Sequence, residues 1–447
     1  MTVYEEFVAS KRRNEVATGH APGNLNENLF DFQHAIVSWA VRRGRAAIFA
    51  DTGLGKTLMQ LAWADEVASH TGGMVLVLAP LAVSEQTIEQ GSTFGIEVRR
   101  VPNGGTPDAH GVWITNYERM DAIDFTELHG LVLDESSILK AHDGKTRQRI
   151  IDAAHGVPYR LSCTATPSPN DFDELGNQCE FLGVMSRTEM LATYFVNDTG
   201  DTGTWRLKGW GASKFWEWMG QWAVVVRNPS DIGFDGARYK LPQLHYHEHV
   251  VQTHSSGDDL FSKPAMGLAE RRKAQRDSVD ARCRALADMV NAEPNEPWLI
   301  WCHLNDEAAL LQSLIPGSVN VQGSDNPESK TKNLLGFASG EVRVMVSKAK
   351  IAGYGLNFQH CARMAFVGLD DSFEKFYQAV RRCYRFGQKR EVHVHLFTAE
   401  NEGQILENLK RKEVAHHEMS ANMVDHMKDI MSQEITGQKN IVDEYRE

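Results

Sequence analysis

The segment Ala50–Thr57, reading ADTGLGKT, constrains this chain more than any other stretch. It follows the apolar run Ala46–Phe49, a strand pattern, and precedes Leu58–Val67, whose apolar spacing is that of a helix. Strand, glycine loop and helix start, in that order, make a phosphate cradle. Gly53 and Gly55 let the backbone curl so that successive N–H groups converge on an anion. The helix N-terminus adds partial positive charge, Lys56 reaches the β- and γ-phosphates, and the Thr57 hydroxyl can ligate Mg²⁺. Thr52, Gly53, Gly55, Lys56 and Thr57 are therefore the candidate contacts of a nucleoside triphosphate, with ATP and Mg²⁺ as the expected cofactors.

A chain of 447 residues is too long for one ordinary core, so two domains and a small insertion are expected. The six cysteines are scattered with no C-x-x-C pair, a pattern of reduced thiols rather than of a zinc site or disulfide framework. The N-terminus MTVYEEFVASKRR carries early acids and no apolar core, unlike a secretory signal. No apolar run approaches membrane-spanning length, so a soluble protein of the cytoplasm is expected. A net charge of −12 argues against a nucleic-acid partner, but phosphate contacts need only a local basic groove.

Short apolar runs alternate with amphipathic stretches from Asn28 to Pro167, giving candidate strands Ala46–Ala50, Met74–Ala79, Val112–Thr115, Leu131–Leu133 and Tyr159–Cys163. A second alternating region gives Trp298–Trp301, Val319–Gln322, Val342–Val346, Met364–Val367 and Val392–Phe397. Such alternation predicts two similar α/β lobes, each a mostly parallel sheet flanked by helices. Between them, Ser168–Leu244 is irregular and rich in aromatics, among them Trp205, Trp210, Trp216, Trp218 and Trp222, and predicts a small helical insertion and inter-lobe hinge. The resulting plan is an extension over 1–27, a nucleotide-binding lobe over 28–167, the insertion over 168–244, a second lobe over 245–412 and a polar tail over 413–447. His245, His247 and His249 fall on one side of an extended strand; with no further ligand motif nearby, a solvated strand is the preferred reading.

Leu131–Leu133 runs into Asp134 and Glu135, an apolar strand ending in two carboxylates. Beside a phosphate loop, Asp134 would hold Mg²⁺ and Glu135 would orient and deprotonate the attacking water. In Gln378–Gln388, Arg382 and Arg385 are three apart, which on a helix places both on one face. Guanidinium groups delivered to the γ-phosphate stabilise the charge that phosphoryl transfer spreads over its oxygens.

With these motifs in this order, the chain resembles the superfamily 2 helicases and translocases, and within them the Swi/Snf-related ATPases, from about Leu29 to Phe397. Leu29-Phe30-Asp31-Phe32-Gln33 resembles the glutamine motif, which implies Gln33 as an adenine contact. Leu78–Val83 and Ile114–Glu118 resemble first-lobe motifs that lie along nucleic acid, implying contacts from Pro80, Thr115 and Tyr117. Leu161–Pro167 resembles the motif that couples hydrolysis to motion through Thr164 and Thr166. Ser347–Gln359 resembles a second-lobe motif, implying Lys348 and Asn357 at DNA and Gly355 at the nucleotide. Gln378–Gln388 is similar to the final signature, with Gln378 at the nucleotide and Arg382 and Arg385 as arginine fingers.

The resemblance implies two RecA-like lobes with ATP in the cleft between them, hydrolysis coupled to movement along duplex DNA, and a compact bacterial or bacteriophage member, the latter acting in the host cytoplasm. A strand-separating helicase and a nucleotide-switched DNA-binding factor are the alternatives. The tryptophan-rich insertion is the only candidate wedge for the first, and intact Lys56, Glu135, Arg382 and Arg385 argue against the second. Ser137 stands where many relatives carry histidine, which puts the link between acidic box and coupling motif in question. The basic segment Arg271–Arg284 is a further candidate DNA grip.

Overall fold

The computed structural model describes residues 17–80, 83–102, 105–107, 109–140, 144–168, 172–197, 205–251, 276–352, 357–369, 372–399 and 403–436. The chain divides into two compact units, Met1–Arg238 with His416–Glu447, and Tyr239–Ala415. Among the described residues no helix is long and apolar enough to cross a membrane.

The first unit is built on strands β1 (Arg45–Ala50), β2 (Met74–Ala79), β3 (Val98–Arg100), β4 (Gly111–Asn116), β5 (Leu128–Asp134) and β6 (Tyr159–Thr164). A short antiparallel pair, β7 (Phe195–Asn197) and β8 (Trp205–Leu207), stands apart from the main sheet, which β9 (Ala223–Val226) completes. The order is β3-β4-β2-β5-β6-β1-β9, and every pairing is parallel. Strands β1, β2, β4 and β6 are buried over five of their six residues, the pattern of strands covered on both faces. Helix Lys56–Thr71 packs across β2, β4, β5 and β6, burying Met59, Leu61, Trp63 and Val67, and stops at Gly72 in the left-handed conformation.

The aromatic insertion folds inward. Phe215, Trp216, Trp218 and Trp222 are all buried, with Trp218 and Trp222 edge to face at 5.3 Å. These buried tryptophans form a core, so they offer no wedge or base-stacking surface. Directly after them, Ala223–Val226 leaves the insertion and pairs with β1, Ala223 opposite Ala47. Four apolar residues following a tryptophan cluster carry no periodicity of their own, which is why this strand was not expected.

Helix Gly403–Thr436 contributes its last five turns to the first unit. Met419, Met423, Met427, Met431 and Ile435 are buried at a spacing of four, one stripe of the helix. His426 stacks on Trp216 at 5.5 Å, and Met431 Sδ accepts from the backbone N–H of Val225 at 3.0 Å. The expectation of a polar tail missed this stripe because methionines diluted among charged residues lower the mean hydropathy without losing the period.

The second unit holds β10 (Leu244–Val251), β11 (Trp298–Trp301), β12 (Val319–Val321), β13 (Val344–Ser347), β14 (Arg363–Phe366) and β15 (Val392–Ala399), ordered β10-β15-β14-β11-β13-β12 and again wholly parallel. Both sheets are thus the α/β type expected. Beneath the second sheet, Arg282 and Glu307 form an ion pair at 2.9 Å with both side chains fully buried. Glu307 also accepts from the backbone N–H groups of His303 and Leu304 at 2.8 and 2.9 Å, capping helix Asn305–Leu314. Removing one partner of such a pair strands the other charge in the core. Glu307→Ala is expected to cost the second unit about 3–5 kcal/mol in urea unfolding, whereas a loss below about 1 kcal/mol would show the pair to be energetically idle.

Candidate functional site

In the first sheet β6 lies between β5 and β1, so three strand ends meet side by side. The register sets Thr164 level with Phe49, and Cys163 level with Asp134. The loop after β1, the acids after β5 and the coupling motif after β6 therefore share one edge of the sheet. Gly53 and Gly55 both adopt positive φ, 89° and 78°, as the curled loop requires. A Cβ on Gly55 would fall 2.2 Å from Gln33 Nε2, so a side chain there would have to displace the Gln33 amide as well as adopt a strained positive φ. Gln33 is buried and bonds at both ends of its amide: Oε1 accepts from Phe30 N–H at 2.9 Å and Nε2 donates to Leu54 O at 2.8 Å.

Lys56 is the first residue of helix Lys56–Thr71, and its ammonium donates to Ala50 O at 2.7 Å and Asp51 O at 3.3 Å. Burial lowers its pKa, opposed by the carboxylates of Glu135, Asp51 and Asp134. Those opposing charges put Lys56 and both acids in one electrostatic cluster. Asp51, which the motif reading left unassigned, accepts from Thr52 N–H at 2.6 Å and steadies the loop's first turn. Thr52 on the loop and Thr57 in the first turn of the helix are both half-buried.

Glu135 has φ 60°, and it is the only non-glycine residue at positive φ among those described. Holding an L-residue there costs about 1–2 kcal/mol, and such outliers concentrate at functional sites. Its Oε1 accepts from Thr164 Oγ1 at 2.8 Å, while the same hydroxyl oxygen accepts from Thr166 N–H at 3.0 Å. The acidic box therefore reaches the coupling motif through Glu135 and Thr164, which answers the question raised by Ser137. A second link runs from Ser136 O to Gln178 Nε2 at 3.0 Å and from Ser162 Oγ to Gln178 Oε1; no sequence signal marked Gln178. Thr166 Oγ1 is buried with no hydrogen-bond partner among the described residues.

Of the candidate nucleic-acid contacts, Pro80 ends β2 half-buried, whereas Thr115 and Tyr117 are buried. The Tyr117 hydroxyl donates to Asp134 O at 2.7 Å, and burial followed by the nearby acids raises its pKa well above the usual value. Tyr117 thus supports the acidic strand end from within.

In the second unit, Lys348 lines an open cleft of about 190 Å³ with His303, Lys375, Trp301 and Phe376. Asn357 is exposed, its Oδ1 accepting from Gln359 N–H at 3.2 Å. Gly355 lies outside the described residues. Gln378 is buried in helix Phe373–Val380 and accepts from Arg382 Nη2 at 3.4 Å.

The helix expected to carry Arg382 and Arg385 ends before both of them. Beyond it the backbone continues as turns, in which Arg382 O accepts from Phe358 N–H at 2.9 Å and Cys383 O from Gln388 Nε2 at 3.3 Å. Gly387 at φ 93° completes the turn. Arg382 is 8% exposed, and burial lowers the pKa of Arg385. Arg381 faces elsewhere, over the rings of Tyr377 and Tyr384.

In the basic segment, Arg271, Arg272 and Lys273 lie outside the described residues. Arg282 is committed to buried Glu307, and Arg284 pairs with Asp280 at 2.9 Å. Those two arginines are structural rather than a DNA grip.

Residues 281–387 match the model of the helicase conserved C-terminal domain, a span that includes Lys348, Asn357, Gln378, Arg382 and Arg385. The match covers about a quarter of the chain and lies wholly within the second unit. Among solved structures, the chain is similar to the Sulfolobus solfataricus SWI2/SNF2 ATPase core in complex with dsDNA, at 17% identity and a TM-score of 0.42, over 93% of this chain and 98% of that one. A search of the curated proteins finds none that matches.

Because Gln33 ties the start of its helix to the loop at Leu54, Gln33→Ala is expected to loosen the loop by about 1–3 kcal/mol. Amide hydrogen exchange of Thr52–Gly55 would read this as faster exchange in the variant, and unchanged exchange would contradict the tie.

Proposed function

We propose that this chain hydrolyses ATP and couples turnover to movement along duplex DNA. The observation that carries the reading is the meeting of Lys56, Asp134, Glu135 and Thr164 along one edge of the first sheet, beside a glycine loop in the curl that a phosphate requires. Gln33 contacts adenine, and the N–H groups from Thr52 to Thr57 cradle the phosphates. The Lys56 ammonium exchanges its carbonyl partners for phosphate oxygens. The donor set of Thr57 and Asp134 suits Mg²⁺, which when bound offsets the charge of the β- and γ-phosphates.

Glu135 orients the attacking water and takes its proton, and its bond to Thr164 holds the carboxylate in place. The same bond makes the coupling motif sensitive to the state of the nucleotide. Arg382 and Arg385 stabilise the charge that develops on the γ-phosphate, and Gln378 and Gly355 complete the nucleotide contacts. Pro80, Thr115, Lys348 and Asn357 belong to the segments that track DNA, the buried Thr115 through its strand end. Duplex DNA as the track rests on the order and form of the motifs. Contacts made mainly to phosphates give little sequence preference and a steep salt dependence.

The test is steady-state ATP hydrolysis at low salt, alone and with linear duplex, single-stranded DNA or RNA. Stimulation by duplex is expected, with Glu135→Gln lowering turnover at least about 10²-fold while nucleotide binding persists. Equal stimulation by single strands or RNA would overturn duplex as the track. Undiminished turnover in Glu135→Gln would remove the assigned base.

A further inference from the structure

The three histidines of β10 do not stand alone. Strand β10 pairs in parallel with β15, placing His245 opposite His393, His247 opposite His395, and His249 opposite Phe397. Alternate residues of a strand share a face, so His245, His247, His249, His393 and His395 form one imidazole surface. Glu391, two residues before His393, joins the same side. The rings stack in sequence: His245 on His393 at 4.8 Å, His393 near His247 at 5.2 Å, and His247 on His395 at 4.7 Å. Cross-strand hydrogen bonds join His247 Nε2 to His393 Nδ1 at 2.9 Å and His249 Nε2 to His395 Nδ1 at 3.0 Å.

At the outer end of this ladder, one ligand atom each from His245, Glu391 and His393 lies within 4.8 Å of the others. His245 Nε2 and Glu391 Oε2 are already 3.1 Å apart. A tetrahedral ion with bonds of about 2.0–2.2 Å holds its ligand atoms roughly 3.4 Å from one another. Closing the set therefore needs shifts of about 1 Å together with rotation of the rings, a soft motion for imidazole. His245 is 29% exposed and Glu391 59%, so water can fill the remaining position. The bond from His247 fixes one nitrogen of His393, the kind of outer contact that orients a metal-binding imidazole. Arg363, opposite His393 on the neighbouring strand, is engaged by Glu293 Oε2 at 3.2 Å, which offsets its charge.

We propose that His245, Glu391 and His393 bind one divalent ion of the zinc class, pinning edge strand β10 to β15. Two imidazoles and a carboxylate suit Zn²⁺ and its imidazole-preferring neighbours, and do not suit Mg²⁺. The site is separate from the nucleotide loop, and the inference does not depend on the proposed ATPase activity.

The test uses the full chain stripped by chelation, with Zn²⁺ titrated against a chromophoric competitor and Co²⁺ followed by its visible absorption. One saturable site is expected, with a Co²⁺ spectrum of low coordination number and a higher thermal midpoint in the presence of Zn²⁺. His245→Gln and His393→Gln should each weaken binding at least about tenfold to a hundredfold. Glu391→Gln changes an exposed group that the fold does not need, and it should weaken binding about tenfold. His34→Gln, an exposed position on helix Asp31–Arg43 of the other unit, should bind as the parent does. The absence of a saturable site in the parent chain would overturn the proposal, as would parental affinity in Glu391→Gln and His393→Gln.

Discussion

The constraint on which the first unit depends is the position of β6 between β5 and β1. Parallel strands all end on the same edge, so side chains far apart in sequence meet wherever their strands are neighbours. Lys56, Glu135 and Thr164 come together for this reason alone. Had β6 been inserted elsewhere in the order, the loop, the acids and the coupling motif would each be intact yet chemically separate. The bond from Thr164 to Glu135 at 2.8 Å depends directly on this neighbour relation. The left-handed backbone of Glu135 is the local cost of turning that carboxylate back toward β6.

Buried charge is handled in two ways in this molecule. The Arg282–Glu307 pair is closed and fully buried, and Glu307 spends its other oxygen on a helix end. Such a pair holds structure and has nothing left to offer a ligand. Lys56 is different: its ammonium rests on two backbone carbonyls with three carboxylates near enough to oppose the effect of burial. Carbonyls are weaker partners than phosphate oxygens. The Lys56 ammonium thus keeps partners that a stronger acceptor can displace, as the closed Arg282–Glu307 pair does not.

Much of this was legible in the sequence, for identifiable reasons. Ten of the fifteen strands among the described residues are marked in the sequence by short, mostly apolar runs, because parallel strands covered on both faces need such runs. The loop and the acids were legible because their chemistry demands particular residues at fixed spacing. Three features were not. Ala223–Val226 is too short beside the tryptophans to show a period. The methionine stripe from Met419 to Met431 is hidden by charged neighbours. The turn carrying Arg382 and Arg385 is held in part by Phe358 N–H, which donates to Arg382 O from outside the motif, a contact that no local spacing reveals. The histidine surface belongs with these: His245–His249 were visible as a set, but their partners sit 146 positions away and meet them only through strand pairing.

The proposed function assigns Arg382 to the same reaction as Lys56 and Glu135. Arg382 tests it most directly, because it belongs to the second unit while the phosphate loop belongs to the first. ATP turnover and the affinity for a non-hydrolysable ATP analogue should be measured together in Arg382→Ala. Near-parental affinity is expected, with turnover reduced about 10³-fold or more, the size of effect an arginine finger has on phosphoryl transfer. Turnover within a few-fold of the parent chain would contradict it, and would confine the chemistry to the first unit.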